Sequence, residues 1–155
     1  MGVAMVLGLQ GGPAGAQGPA TYLPSFNGSI IAQAKHLAAY GHASGGLNSG
    51  FADVTNRSLL DIYMRPWRSM TAGAGLRSLM VSHQTVNDVP AHANSWLINT
   101  LVRNDYGFGD GFVISDEMNL GHLGPWGWAV ADNISQAAAV GLHAGVDIDL
   151  QVGKG

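Results

Sequence analysis

The residues best suited to chemistry follow predicted strands. Asp116 comes directly after residues 111–115, which fit a buried strand and follow a glycine-rich turn. Lys35 and His36 end a second predicted strand, and His83 ends a third. In a barrel of parallel strands the carboxyl ends meet at one face, where substrate binds. We therefore expect these side chains to lie together, with Asp147 or Asp149 on a fourth strand as further candidates.

This combination of side chains indicates binding of a polyhydroxylated ligand and attack on it. Ammonium and imidazole groups donate hydrogen bonds to hydroxyls, and positive charge helps to keep a nearby Asp ionised. An ionised carboxylate suits nucleophilic attack at an anomeric carbon. Each residue alone has a simpler explanation: Asp116 could cap a turn, Lys35 could be solvated and His36 could be a satisfied core histidine. Their convergence at strand ends favours chemistry.

Strands and helices alternate along the chain, which predicts a parallel sheet covered by helices. The expected strands are residues 30–36, 78–83, 112–115 and 146–150. Expected helices begin after Thr55, after Asn94 or Ser95, and after Asp132 or Asn133, the last ending near Gly145. Pro66 is expected to kink or break the first helix. The positions expected to face inward are Leu59, Leu60, Tyr63, Trp67 and Met70 in the first helix, and Trp96, Leu97, Leu101 and Val102 in the second.

Composition limits the classes of protein and of partner. The 155 residues are 46% hydrophobic and 11% charged, which indicates a globular chain of one domain. Net charge is −3 with seven Lys and Arg, so neither nucleic acid nor an anionic membrane surface is an expected partner. The chain has no Cys, which excludes disulfides and thiolate chemistry. No run approaches the ~20 apolar residues of a membrane span.

The apolar run at residues 3–9, followed by Ala14 and Ala16, loosely resembles a secretory signal. No basic residue precedes it, and the first positive side chain is Lys35, so a signal peptide is not expected. The residues leave the localisation open.

The histidines raise the alternative of a metal-dependent hydrolase. Such a site would use His36, His83, His122 or His143 with Asp116. The chain has neither HxH nor HExxH spacing, so we expect no metal and no cofactor.

Several motifs resemble those of glycoside hydrolase family 3. Residues 34–41, AKHLAAYG, resemble its Lys-His motif AKHFAGYG. In the family's order, residues 60–67, 78–83, 89–97, 107–116 and 144–150 resemble REIYLPPF, SVMPSY, VPCHANKWLL, GFDGFVVSD and AGVDVDL. The matches run from about residue 4 to residue 150, so the resemblance covers nearly the whole chain.

The resemblance implies a retaining β-glycosidase of the β-glucosidase and β-xylosidase branch. The implied fold is a partial (β/α)8 TIM-like barrel of about four β/α units. Asp116 would be the nucleophile, and Lys35 and His36 would bind sugar hydroxyls of a β-linked oligosaccharide or glycoside. His83 and Glu117 stand where the family has Tyr and often Trp, so they are expected at the sugar site and leave glycone preference open. Members are often secreted.

The same resemblance implies that residues 1–155 are the second half of the barrel domain. The first half and the downstream α/β sandwich domain, with its general acid/base, would lie outside this chain. Glu117 is a poor substitute, since neighbours on a strand point to opposite faces unless the chain turns. Asp53, Asp88 and Asp110 are weaker alternatives.

Two further expectations concern the isolated chain. The uncovered edges of a half-barrel favour self-association. The alternative to catalysis is a degenerate or non-catalytic member of the family that binds carbohydrate without turnover.

Overall fold

The computed structural model describes residues 1–11 and 29–150, and its centre is a parallel sheet. In these two ranges the strands are β1 (Gln33–Leu37), β2 (Phe51–Ala52), β3 (Ser78–Val81), β4 (Thr85–Val86), β5 (Val89–Pro90) and β6 (Phe112–Ile114). The central sheet has the order β1-β3-β6, and both pairs are parallel. Helices lie between these strands along the chain, which confirms the predicted β/α alternation. All three carboxyl ends therefore lie at one edge of the sheet.

The expected fourth strand is reduced to a single parallel bridge between Ile114 and Ile148. Its pairing is irregular from the start, because Asp147 and Ile148 both donate backbone hydrogen bonds to the same carbonyl, that of Val113. It then ends at Ser115, whose Oγ accepts from the backbone N–H of Leu150 at 2.7 Å. A side chain thus takes the place of a strand carbonyl, which ends the ladder.

A second, small sheet was not predicted from the sequence. β2 pairs parallel with β4, and β4 pairs antiparallel with β5. The hairpin turn between β4 and β5 is Asn87-Asp88, with φ values of 53° and 61°. Two left-handed residues are typical of a two-residue hairpin, and Asn and Asp tolerate that conformation. Each strand has only two residues, too few to produce an alternating pattern.

The helices pack on the sheet and share the core with the strands and connecting segments. In the described part of the chain they are Gly2–Leu9, Asn56–Ser58, Leu59–Tyr63, Arg65–Ala74, Trp96–Asp105, Asn119–His122 and Ile134–Ala144. Short 3₁₀ turns occupy Tyr40–His42, Ser44–Gly46 and Ala91–Ala93.

Side-chain caps confirm the predicted helix starts. Thr55 Oγ1 accepts from the N–H of Ser58 at 3.2 Å. Of the two candidates before the next long helix it is Asn94 whose side chain accepts, from the N–H of Leu97 at 3.0 Å. Asn133, rather than Asp132, caps the Ile134–Ala144 helix through the N–H of Gln136. These short polar side chains satisfy backbone donors that the first helical turn leaves unpaired.

Pro66 breaks the helix as predicted. The Leu59–Tyr63 segment closes with a bond from Met64 N to Leu59 O at 2.8 Å, and a new helix starts at Arg65 with the proline in its first turn. Proline has no N–H to donate, and the first helical turn is where that loss costs least.

Two of the residues expected to face inward do not. Leu60 and Trp96 are 39% and 38% exposed, whereas Leu59, Trp67 and Leu97 are buried. Both misplaced residues lie in segments with i→i+5 hydrogen bonds. These wider turns rotate successive side chains by less than an α-helix does, so a 3.6-residue period places some of them on the wrong face.

Residues 30 and 31 were expected within a buried strand. Ile30 and Ile31 are instead 62% and 48% exposed and precede β1. β1 is an edge strand of the described sheet, and its own pattern alternates between exposed and more buried residues. Its register with β3 shifts between Ala34 and Leu37. The Lys35–His36 and Leu37–Ala38 peptide bonds are cis.

The N-terminal apolar run forms the Gly2–Leu9 helix, which packs on the Arg65–Ala74 helix. Val6 is 3% exposed and belongs to the core. Gln10 then joins two segments, because its side chain donates to the carbonyl of Gly75 and accepts from the N–H of Ala32. No helix in the described ranges has the length and apolar character that a bilayer crossing requires.

Gly145 is expected to tolerate no side chain. Its φ is +105°, and a Cβ there would lie 2.3 Å from Asn99 Oδ1 and 2.8 Å from the buried Ile98. We expect Gly145→Ala to lower the free energy of unfolding by about 2 kcal/mol, measured by urea denaturation. Gly73→Ala is the matched control, since it lies within a helix with open space around it. That variant should be as stable as the parent or more so by ~0.5 kcal/mol, and equal losses in both would refute the argument.

Candidate active site

The candidate site is built around the carboxylate of Asp116, directly after β6. Asp116 Oδ2 lies 3.1 Å from His83 Nε2 and 3.6 Å from His36 Nε2. The three side chains are 12%, 15% and 19% exposed. His36 lies on β1, His83 follows β3 and Asp116 follows β6, so three consecutive strands of the sheet each contribute one group. Of the side chains expected to converge at the strand ends, the structure brings together His36, His83 and Asp116.

Hydrogen bonds hold both the backbone and the carboxylate of Asp116. Its N–H donates to His92 Nε2 at 3.0 Å. Its Oδ1 accepts from the N–H of Glu117 at 2.8 Å. Backbone and carboxylate are thus fixed at three points, which limits the positions that Oδ2 can reach.

Sequence reasoning missed His92. It lies in the Ala91–Ala93 turn after β5, 2% exposed, and belongs to the segment VPAHAN that was noted only as a motif. The signal available in the sequence was its position in that motif, because its burial is apparent only from the structure.

Burial lowers the pKa of both His92 and His36. It lowers the pKa of His92 to about 3, and the nearby charges of His83 and His122 act in the same direction. The pKa of His36 is also lowered, chiefly by burial, with the charge of Asp116 opposing the change and Lys35 and His83 adding to it. Both rings are therefore neutral at pH 7.

Stability should fall with acidification because of His92. Below the ordinary histidine pKa of 6.5 the unfolded chain binds a proton at this residue, whereas the folded chain does not until about pH 3. Above pH ~6.5 His92 does not reduce the free energy of unfolding. Below that pH the free energy of unfolding decreases by about 1.4 kcal/mol per pH unit, because only the unfolded chain binds the proton. Urea unfolding at about pH 7 and 5 should thus show a loss in the parent about 2 kcal/mol larger than in His92→Gln, which cannot titrate. Parallel pH dependences in the two proteins would contradict the assignment.

An open cavity of about 210 Å³ adjoins the cluster. The ring of Tyr40 stacks on His36 with 4.6 Å between ring centroids and forms part of the cavity wall. Gln84, next to His83 in the chain, forms another part. The remaining lining residues are Gly41, Ala43, Gly46 and Asn48. Polar groups and an aromatic ring around a cavity are suited to a hydroxylated ring.

Lys35 and Glu117 are placed differently from the two imidazoles. Lys35 is exposed and lines a separate cavity of about 220 Å³ between the Gly2–Leu9 helix and β1, yet its charge reaches His36. Glu117 is exposed on a turn that starts directly after Asp116. The chain does turn there, which is the condition under which adjacent carboxylates can share a cleft.

Other candidate carboxylates have different roles. Asp110 lies 3.7 Å from Arg77 before β6, at the opposite end of that strand from Asp116. Asp147 accepts from Arg103 at 2.6 Å and from the N–H of Val113 at 2.7 Å, so it ties elements together instead of facing the cleft. The hypotheses that placed these two residues at the site are wrong. Exposed Asp53 follows β2. Asp88 forms the β4–β5 turn.

The metal alternative gains no geometric support. Across residues 1–11 and 29–150, no three His, Asp or Glu side chains are arranged to hold a metal ion. His143 is exposed near the end of the Ile134–Ala144 helix, outside the cluster around Asp116.

Comparison with known proteins gives a consistent result. Residues 1–154 match the family model described as "Glycosyl hydrolase family 3 N terminal domain". A β-xylosidase of Formosa agariphila is 40% identical over 155 residues, which are 99% of this chain and 20% of that protein. The chain thus spans about a fifth of the length of that relative.

Two solved structures show the same fold. A β-glucosidase from Erythrobacter marinus superposes with a TM-score of 0.84 at 37% identity, over 97% of this chain and 18% of that one. A β-glucosidase from Listeria innocua in complex with gluconolactone gives a TM-score of 0.82 at 30% identity, over 97% and 19%. The chain belongs to glycoside hydrolase family 3, and its residues correspond to part of the TIM-barrel-like N-terminal domain of that family.

Proposed function

We propose that this chain takes part in the hydrolysis of O-glycosidic bonds in β-glycosides, by a retaining mechanism with Asp116 as the nucleophile. One observation carries the proposal: a nearly buried carboxylate at a barrel-strand end, with two imidazole nitrogens within 3.6 Å of one oxygen. Membership of the family supports it, as do the names of the relatives, which are β-xylosidases and β-glucosidases.

In the first step an oxygen of Asp116 attacks the anomeric carbon of the sugar. A bond forms between the carboxylate oxygen and that carbon while the glycosidic C–O bond breaks, and the departing oxygen takes a proton from a general acid. Water then cleaves the glycosyl ester and gives up a proton to the same group, which regenerates the carboxylate. The bond from the Glu117 N–H holds Asp116 Oδ1, so Oδ2 faces the two imidazoles.

The proposed substrate is a β-linked oligosaccharide or simple glycoside with a glucosyl or xylosyl end group. His36 and His83 border the reacting carboxylate, and Tyr40 extends the surface toward the open cavity. We assign a sugar contact to Glu117 as well, because it is exposed on the turn directly after Asp116. The sugar contact proposed for Lys35 depends on the family resemblance of its motif, since its side chain lines the separate cavity beside the Gly2–Leu9 helix. Sugar rings commonly bind against aromatic faces with hydroxyls paired to polar groups.

The proposal takes the general acid/base from outside the described residues. A retaining pair requires carboxyl groups about 5–5.5 Å apart. Asp110 lies at the wrong end of β6, and Asp147 is paired with Arg103. The relatives are about five times longer than this chain, so they contain further segments that could supply the group.

A covalent probe whose leaving group departs without help from a general acid tests the nucleophile alone. A 2-deoxy-2-fluoro-β-glucosyl fluoride, or its xylosyl counterpart, loses fluoride without protonation, and its fluorine slows the second step. We expect intact-mass spectrometry to show one glycosyl group per chain, and peptide mapping to place it on Asp116. The faster of the two reagents identifies the preferred sugar.

Two outcomes would refute the proposed function. An adduct on Glu117 or elsewhere would reassign the nucleophile. Absence of an adduct in a chain whose His36 and His83 NMR signals shift with gluconolactone would favour the alternative, a module that binds sugar without turnover.

A further inference from the structure

Asn119 has a defined amide orientation. It is 2% exposed and opens the short Asn119–His122 helix three residues after Asp116. Its Nδ2 lies 3.1 Å from the carbonyl oxygen of Glu117. A carbonyl oxygen only accepts hydrogen bonds, so the side-chain atom facing it must be the NH₂ group.

The same nitrogen makes a close contact with His83 Nδ1. An amide nitrogen has two hydrogens and no acceptor capacity, and one hydrogen is already directed at Glu117. The other must be donated to His83 Nδ1, which therefore has no proton of its own. The single proton of a neutral His83 ring is then on Nε2, the nitrogen 3.1 Å from Asp116 Oδ2.

We propose that Asn119 is a positioning residue that holds His83 in the Nε2–H tautomer, so that neutral His83 donates a hydrogen bond to Asp116. The inference deepens the proposed function and rests on it only where Asp116 is called the nucleophile. In the opposite tautomer a lone pair of Nε2 would face Oδ2, and the two atoms would repel. Selection of the Nε2–H tautomer therefore makes the contact between His83 Nε2 and Asp116 Oδ2 a hydrogen bond instead of a repulsion.

The arrangement holds the carboxylate in place without an imidazolium. A neutral donor directs Oδ2 but leaves the negative charge of Asp116 uncompensated, so the carboxylate keeps more of its nucleophilic character. His83 follows β3 and Asn119 follows β6, and the ring of His83 lies between the amide of Asn119 and the carboxylate of Asp116.

Long-range ¹H–¹⁵N NMR of the histidine rings tests the tautomer directly, without any reaction. At neutral pH we expect His83 to show the Nε2–H pattern, with His83→Gln identifying its signals. His42 is the internal reference, since its Nε2 faces the carbonyl of Asp53 at 3.2 Å and its Nδ1 faces the hydroxyl of Tyr63 at 2.9 Å. His92, whose Nε2 accepts from Asp116 N–H, should show the opposite pattern. An Nδ1–H or doubly protonated His83 would overturn the inference.

Two variants test the role of Asn119. In Asn119→Asp the carboxylate can only accept, so we expect a proton to appear on His83 Nδ1. In Asn119→Ala the donor is lost, and a mixture of tautomers is expected. The fluoroglycoside labelling rate should fall about tenfold or more in the alanine variant, the size of one lost hydrogen bond to a charged group.

The controls separate this inference from the proposed function. An unchanged His42 pattern shows that a variant is folded. If His83 keeps the Nε2–H pattern in both variants, Asn119 does not select the tautomer and the inference fails. If the tautomer responds as expected but the parent forms no adduct, the tautomer control by Asn119 stands and the proposed function fails.

Discussion

Replacement of Asp116 by Asn is expected to slow formation of the glycosyl adduct by at least about 10⁴-fold, the scale on which loss of a covalent nucleophile acts. An amide oxygen is a weak nucleophile and has no negative charge to match the developing positive charge of the sugar. The amide oxygen of the Asp116→Asn variant would still accept from the N–H of Glu117, so the local fold should remain. The measurement is the rate of mass increase with the preferred 2-fluoroglycosyl fluoride.

Matched carboxylate variants control for the loss of one negative charge. Asp88→Asn changes an exposed residue of the β4–β5 turn that already has a left-handed φ of 61°, a conformation that Asn adopts readily. Its labelling rate should equal that of the parent. Glu117→Gln alters the neighbouring carboxylate and should cost far less than Asp116→Asn. Equal rates in the parent and Asp116→Asn would eliminate Asp116 as the nucleophile.

A smaller side chain at position 116 provides a second test, in which a new product is formed instead of a rate being reduced. Asp116→Gly leaves space beside His36 and His83 that a small anion such as azide can occupy. With a good leaving group, azide should attack from the vacated side and give an α-glycosyl azide from a β-glycoside. Formation of that product would show which face of the sugar Asp116 meets.

The second large effect concerns the fold that supports the site. Arg103→Met is expected to lower the free energy of unfolding by about 3 kcal/mol, measured by urea denaturation. The guanidinium donates to the carbonyl of Gly111 at 3.1 Å, to the carbonyl of Gly145 at 3.0 Å and to Asp147 at 2.6 Å. These bonds join the start of β6 to the segment that follows the Ile134–Ala144 helix. Removing the charge leaves two carbonyls and a carboxylate without this donor.

Arg57→Met is the matched control for the same chemical change. Arg57 pairs with Asp61 at 3.5 Å one helical turn away, but their side chains are 91% and 56% exposed. Such a pair contributes at most about 0.5 kcal/mol, so this variant should unfold almost as the parent does. Similar losses in both variants would mean that the Arg103 contacts do not bind the two segments together.

Arg103 also shows why a strand-end aspartate need not be catalytic. Asp116 directly follows one predicted strand and Asp147 lies in another, and sequence reasoning treated both as candidates. Asp147 lies within reach of Arg103, which comes from the helix before β6, and the folded chain uses that pair as a structural tie. Asp116 instead meets imidazole nitrogens of His83 and His36. The partner, which comes from a distant segment, decides between the two roles.

Periodicity predicted the elements well and their faces less well. The β/α order, the caps at Thr55, Asn94 and Asn133 and the break at Pro66 all follow from residues next to one another in the chain. Leu60 and Trp96 were misplaced because i→i+5 turns change the angle between side chains. A sequence pattern contains no reliable mark for that change.

The sequence by itself determined the alternation of strands and helices, and it determined that Asp116, His36 and His83 end successive strands of the sheet. Those features depend on local hydrophobic pattern and on the common direction of parallel strands. Only the tertiary structure decided how Asp116 is held. His92 is 24 residues away, and Asn119 acts on His83 across a separation of 36. Such contacts arise from the packing of whole elements, which brings buried donors and acceptors together wherever their chain positions lie.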